Sequence, residues 1–226
     1  MYGIKLLIKG DYACFTRPEM KVERVSYDVP TPSAMRGILE SIYWKPAIKW
    51  VVDRIYVFNP VQFMNIRRNE MKSKMPLTAV KKQMTDENVD ISIYSCIENI
   101  NQRASLVLRD VLYGVEAHFE MTELEGNDMN KHYAIITRRM KKGQFAKVPV
   151  LGCREFPASF EWVDNFPVSQ LRGEVDMGYM LYDMKFKAPD KSGNYSECAS
   201  PIWYRPIMID GMIDVAKYYE KTGVNK

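Results

Sequence analysis

The chain has 226 residues, 46% of them hydrophobic, enough to bury one large core or two modest ones. A net charge of +4 and a pI of about 8.7 favour polyanionic partners and exclude a histone-like basic excess. No run of about 18 apolar residues is present, so neither a membrane-spanning helix nor a membrane partner is expected.

Residues 2–9 alternate: Tyr2, Ile4, Leu6 and Ile8 face one way, Gly3, Lys5, Leu7 and Lys9 the other. This predicts a half-buried strand, and the opening MYGIKLLIKGDYA reads as amphipathic strand instead of an apolar signal core. Gly10-Asp11 marks a turn or bulge. A helix is predicted from Thr31-Pro32, with Thr31 at the N-cap and Pro32 in the first helical position. Met35, Ile38, Leu39 and Ile42 supply one apolar stripe, and Pro46 ends it. Gly37 inside this helix costs roughly 1 kcal/mol against Ala, which either close approach of a backbone or simple tolerance explains.

Residues 50–64 predict a strand. From Arg67 to Lys82 the pattern dissolves: Arg67, Arg68, Lys72, Lys74, Lys81 and Lys82 stand against one acid, Glu70. A basic insertion loop over 67–90 is expected, with a strand-like stretch at 91–96. The clearest strand runs from 105 to 122. Val107, Val111, Tyr113, Val115, Ala117, Phe119 and Met121 share one face, with Arg109 as the polar exception. Leu112, Gly114, Glu116, His118, Glu120 and Thr122 share the other.

A second helix is predicted from Asn127-Asp128 to Met140, capped by Asp128 and followed by Gly143 at C′. Tyr133, Ile136 and Met140 form its buried stripe. Its end is cationic, with Arg138, Arg139, Lys141 and Lys142 and then Lys147, a pattern the helix dipole favours. Residues 148–163 read as strand, turn, strand. Short strands follow near 179–187 and 202–208. The fold class is therefore α+β. The order βαββαβ fits the ferredoxin-like plan over 1–163, with a small antiparallel β-rich part over 164–226.

His118 lies between Glu116 and Glu120 on its strand face, where carboxylates favour imidazolium. It is either a proton-transfer group or a histidine with a structural hydrogen bond. Tyr43, beside Trp44, Lys45 and Lys49, is either a base-stacking aromatic among cations or the edge of the core. His132, four residues after Asp128, is expected to make a local Asp–His contact with a structural role. The basic runs 67–82 and 138–147 fit solvated surface or a phosphate-backbone partner. Cys14, Cys96, Cys153 and Cys198 form no CxxC pair and, with two histidines, no zinc pattern. Scattered thiols fit a reducing cytoplasm. No GxGxxG, Walker or HExxH motif occurs, so neither metal nor cofactor is expected.

Several segments together carry a family resemblance. They are Gly10-Asp11-Tyr12-Ala13 with Phe15-Thr16, Ser26-Tyr27 with Val29-Pro30-Thr31, and Glu40-Ser41-Ile42-Tyr43-Trp44-Lys45-Pro46. Ala117-His118-Phe119, Lys131-His132-Tyr133 and Leu151-Gly152 with Arg154-Glu155 complete the set. The set resembles the CRISPR-associated Cas-five family, d-type (also called c-type), of type I-C systems, within the RAMP superfamily. The resemblance implies an RRM-like, ferredoxin-like domain that cuts CRISPR repeat RNA without a metal ion. The ribose 2′-hydroxyl attacks the adjacent phosphate and leaves a 2′,3′-cyclic phosphate. It implies retention of the crRNA 5′ handle among the backbone and large subunits of the complex; duplex DNA is a further candidate partner. The alternative it allows is a non-catalytic subunit that binds the 5′ handle.

On this resemblance the family tyrosine falls on Tyr43 and the family histidine on His118, as catalytic residues. Lys45, Arg109, Lys131, Arg138, Arg139, Lys141, Lys142, Arg67 and Arg68 become the candidate RNA-binding cations. Some members carry a lysine just before the histidine; Glu116 and Ala117 stand there in this chain. Lys45, Arg109 and Lys131 are the candidates to replace that charge at the phosphate.

Overall fold

A computed structural model describes residues 3–20, 22–74, 76–86, 88, 99–122, 128–185 and 200–219. It is a mixed α/β structure with a mostly antiparallel sheet and few helices. Among these residues no helix is long and apolar enough to cross a membrane.

Strand β1 (Gly3–Ala13) buries Ile4, Leu6 and Ile8, the face its alternation predicts. A two-residue strand β2 (Arg24–Val25) precedes α1 (Pro32–Ile42). The Thr31 side chain caps α1 by accepting from Ala34 N–H at 3.2 Å, and Pro32, Met35, Ile38, Leu39 and Ile42 are buried. A Cβ on Gly37 would meet nothing within 4 Å, so tolerance and not close approach explains that glycine.

Strand β3 (Ile48–Val57) ends earlier than the predicted 50–64. The chain turns at Asn59-Pro60, where Asn59 Nδ2 donates to the Asp110 carbonyl at 2.7 Å. It re-enters as β4 (Phe63–Met71), followed by the short helix α2 (Leu77–Gln83). The expected 67–90 loop is thus corrected: Arg67 and Arg68 lie in a ladder, opposite Ala104 and Arg103. Periodicity missed β4 because the half-buried positions of its one covered face are Ile66, Arg68 and Glu70, so pairing with β5 and ion pairs hold it in place of an apolar stripe. The strand-like stretch at 91–96 lies outside the described residues.

Strand β5 (Ile100–Met121) has 22 residues and organises the molecule. Its first half pairs with β4 and, in parallel, with β2; its second half lies between β1 and β3. Asp110 has φ 51°, which breaks the alternation. Leu108 is buried, and Arg109 turns outward to donate to Gln62 Oε1 at 2.9 Å, not inward as predicted.

Helix α3 (Met129–Lys141) buries Ile136 and Met140, and Gly143 follows at φ 64° as a C′ residue. The chain then packs against β1. Gly152 (φ 86°) approaches so closely that a Cβ there would sit 2.0 Å from the Cys14 carbonyl oxygen. Strand β6 (Ser159–Trp162) pairs with β1.

The remainder forms β7 (Glu174–Asp176), β8 (Met180–Lys185), β9 (Ser200–Tyr204), β10 (Ile207–Ile209) and β11 (Met212–Asp214). The main sheet runs β6-β1-β5-β3-β11-β10-β7, so part of the 164–226 tail continues it. The β8–β9 pair stands apart and is tied to α1, with Arg36 Nη2 donating to Asp183 Oδ1 at 2.9 Å.

The helices cover one face, where Val115, Ala117 and Phe119 of β5 meet Trp50, Val52 and Ile55 of β3 in the core. On the other face Phe166 lies over Gly114, where a Cβ would come within 2.8 Å of the ring. Tyr56 packs on that ring at 4.6 Å between centroids.

Candidate active site

His118 leaves β5 on the face opposite the helices, because its neighbours Ala117 and Phe119 point into the core. It is 8% exposed. Its Nδ1 lies 2.8 Å from Asp53 Oδ2 and 3.0 Å from Oδ1. Its Nε2 lies 4.0 Å from Glu120 Oε1. The expected neighbour Glu116 is engaged elsewhere, with Lys5 Nζ at 3.4 Å and Arg54 Nη1 at 3.1 Å.

Asp53 was not singled out by the sequence. It sits on β3 where the register with β5 shifts between Val52 and Arg54, and this bulge brings the carboxylate to a histidine 65 residues away. Only the strand pairing could have revealed it. Beside the pair a concavity is lined by Gly3, Lys5, Asp53, Glu116, Trp162 and Asp164. A carboxylate on Nδ1 fixes the tautomer and steadies the imidazolium, leaving Nε2 to exchange a proton.

Tyr43 lies elsewhere. It caps α1, is 3% exposed, and accepts at its carbonyl from Trp50 Nε1 at 2.8 Å. Trp50 meets Phe119 edge-on, so Tyr43 belongs to the helix-covered side while His118 faces away. The structure therefore does not bring the two sequence-predicted residues together. The partner of Tyr43 is His132, whose Nδ1 is 2.8 Å from the phenol oxygen. Arg139 lies 5.2 Å from the centre of the Tyr43 ring and donates to the Ile42 carbonyl at 2.8 Å. Burial raises the Tyr43 pKa and the Arg139 charge opposes that rise.

The expected Asp128–His132 side-chain contact is corrected by this geometry. Asp128 instead caps α3 by accepting from Lys131 N–H at 3.0 Å. His132 and Arg139 are seven positions apart, two helical turns, so both reach Tyr43 from one helix face.

The candidate cations divide by place. Lys131, Arg138 and Lys142 recur at intervals of seven and four on α3, and all are exposed. Lys45 is exposed beside Trp44. Lys141 reaches over the Trp162 ring at 5.5 Å. Arg68 is committed to Glu155 and to Ser105 Oγ, the latter at 3.2 Å. Arg67 pairs across from Ala104, which puts it up to about 45 Å from His118 at the rise of an extended strand. Arg109 is also distant along β5. Neither arginine reaches a nucleotide held at His118. Among the described residues, no group of three or more His, Cys, Asp or Glu is placed to hold a metal ion.

Comparison with known proteins places this geometry in context. A family described as CRISPR-associated protein (Cas_Cas5) matches residues 3–216. A Mannheimia succiniciproducens protein named CRISPR pre-crRNA endoribonuclease Cas5d is 48% identical over 225 residues, covering 96% of each chain. A Thermus thermophilus protein of the same name is 37% identical over 234 residues, covering 97% of this chain and 95% of that one. A crystal structure titled CRISPR-associated protein shares the fold, with a TM-score of 0.63 at 24% identity over 94% of this chain and 91% of that one.

Proposed function

The chain belongs to the Cas5d family of CRISPR-associated proteins, and from that premise we propose that it is a pre-crRNA endoribonuclease whose proton transfers run through His118. The observation that carries the site assignment is the Asp53–His118 pair, with the imidazole bound to a carboxylate at 2.8 Å beside an open concavity. Two full-length relatives named for this activity carry the reaction class.

The reaction is intramolecular transesterification. The RNA 2′-hydroxyl attacks the adjacent phosphorus, the 2′-O–P bond forms and the P–O5′ bond breaks. His118 Nε2 takes the 2′ proton, Asp53 stabilises the resulting imidazolium, the departing 5′-oxygen takes a proton from water, and the imidazolium returns its proton to the hydroxide so formed. The products are a 2′,3′-cyclic phosphate and a 5′-hydroxyl. The step as written needs no metal ion. Lys5, Arg54 and Lys49 are the cations near the pair in the strand register, Lys5 and Arg54 at Glu116 and Lys49 opposite Glu120. They stand closer to the chemistry than Arg109, and the opposite sheet face separates them from Lys131 and Lys45.

The sheet order β6-β1-β5-β3, with α1 and α3 as the crossovers, supports a ferredoxin-like reading of residues 1–163. The described residues of the 164–226 part are read as an appendage, with β7, β10 and β11 joined to that sheet. The function includes retention of the crRNA 5′ handle among the other subunits of a type I-C complex in the cytoplasm, with duplex DNA as a further partner. Cleavage of the protein's own repeat RNA in EDTA tests the catalytic part. One cut, lost in His118→Ala with RNA binding kept, supports it. Binding without cleavage by the unaltered protein would instead establish the non-catalytic handle-binding subunit.

A further inference from the structure

Cys14 and Cys153 stand 139 residues apart in sequence and meet in the fold. We propose that they are a modification site, an oxidisable dithiol in which Cys153 attacks a peroxide and Cys14 then closes a reversible disulfide. The site uses neither His118 nor the RNA, so it stands or falls apart from the functional reading.

Three observations carry the proposal. First, the two backbones touch where the thiols lie. Cys14 N–H donates to the Leu151 carbonyl at 3.0 Å, and Gly152 approaches the Cys14 carbonyl too closely for any Cβ. Cys153 Sγ lies 3.7 Å from that same carbonyl oxygen and Cys14 Sγ lies 3.6 Å from Thr16 Oγ1. The two thiols are within hydrogen-bonding reach of each other. A disulfide needs Cα atoms about 4.4 to 6.8 Å apart, a spacing that requires backbones this close. Second, the two sulfurs are not equivalent. Cys14 is 1% exposed, whereas Cys153 is half-buried. The bond from Cys14 pulls the Cys153 thiol down to about 6, and the Arg24 charge acts in the same direction. The same bond, together with burial, pushes the Cys14 thiol up. Cys153 is therefore the thiolate and Cys14 the thiol near neutral pH. Third, a small oxidant has a way in. A concavity of about 430 Å³, lined by Cys14, Thr16, Ser33, Gly37 and Gly152, opens beside the pair.

The chemistry balances with hydrogen peroxide as oxidant. Cys153 Sγ attacks one peroxide oxygen, the O–O bond breaks, and the other oxygen leaves as hydroxide, which takes up a proton to become water. Cys14 Sγ then attacks the sulfur of the resulting sulfenic acid; the S–O bond breaks and the hydroxyl leaves with the Cys14 proton as a second water. The two thiols lose two electrons in all and the peroxide gains them. The product pins β1 to the turn over 151–157, whose Glu155 already pairs with Arg24 and Arg68.

Peptide mapping of the full chain tests this. The reduced protein is treated with hydrogen peroxide, its remaining thiols are alkylated, and it is digested without reductant and weighed. The expected product is one linked pair of peptides holding Cys14 and Cys153, lighter by two hydrogens and separated again by dithiothreitol. In Cys14→Ser the sulfenic acid of Cys153 has no partner and should be trapped by dimedone. In Cys153→Ser the remaining Cys14 should react with peroxide at least about 10-fold more slowly than Cys153 does in Cys14→Ser. Absence of the Cys14–Cys153 link in the oxidised parent, linkage of either residue to Cys96 or Cys198 in its place, or equal reactivity of the two single variants would overturn the proposal.

Discussion

The two histidines of this chain occupy opposite faces of one sheet, and their partners differ in kind. His118 is carried by a strand and held by a carboxylate. His132 is carried by a helix and held by a phenol. A carboxylate stabilises positive charge on the ring, so it suits a histidine that must become imidazolium during a reaction. A phenol is neutral; it fixes orientation without altering charge. The same side chain thus faces a charged partner on one side of the sheet and a neutral one on the other.

Substitutions break this comparison in order of expected effect. His118→Ala should lower single-turnover cleavage by about 100-fold or more, the usual contribution of a positioned acid–base group. Asp53→Asn keeps the shape but removes the charge, and a loss of roughly 10- to 100-fold is expected, read in the rate at saturating RNA. If His132→Ala lowered the saturated rate as much as His118→Ala, the assignment of the proton transfers to His118 would fail. Arg67→Ala should change the cleavage rate by less than about twofold and reduce the salt dependence of binding by at most about one phosphate contact.

The sequence made some of this legible and hid the rest for physical reasons. α1, α3 and the second half of β5 pack one apolar face each, so their stripes of Met35, Ile38, Leu39 and Ile42, of Ile136 and Met140, and of Val115, Ala117 and Phe119 announce them. β4 is exposed along most of its length and owes its existence to β5, so no pattern of Arg67 to Met71 could report it. Alternation along β5 puts Arg109 on the inward face, but one residue, Asp110 at φ 51°, resets it and turns the side chain outward. His118 stood out by its strand position, and Tyr43 by family resemblance. Their true partners, Asp53 and His132, lie 65 and 89 residues away and are joined by a bulge and by helix phase. Those are properties of pairing and packing, to which local spacing is blind.

The central claim is that His118, backed by Asp53, cleaves the RNA. The most direct measurement is single-turnover cleavage of the protein's own repeat RNA in EDTA by His118→Ala, with imidazole added back. The account predicts a binding-competent, nearly inactive variant whose cleavage at the same position rises with imidazole concentration. Cleavage by His118→Ala at the unaltered rate would contradict it.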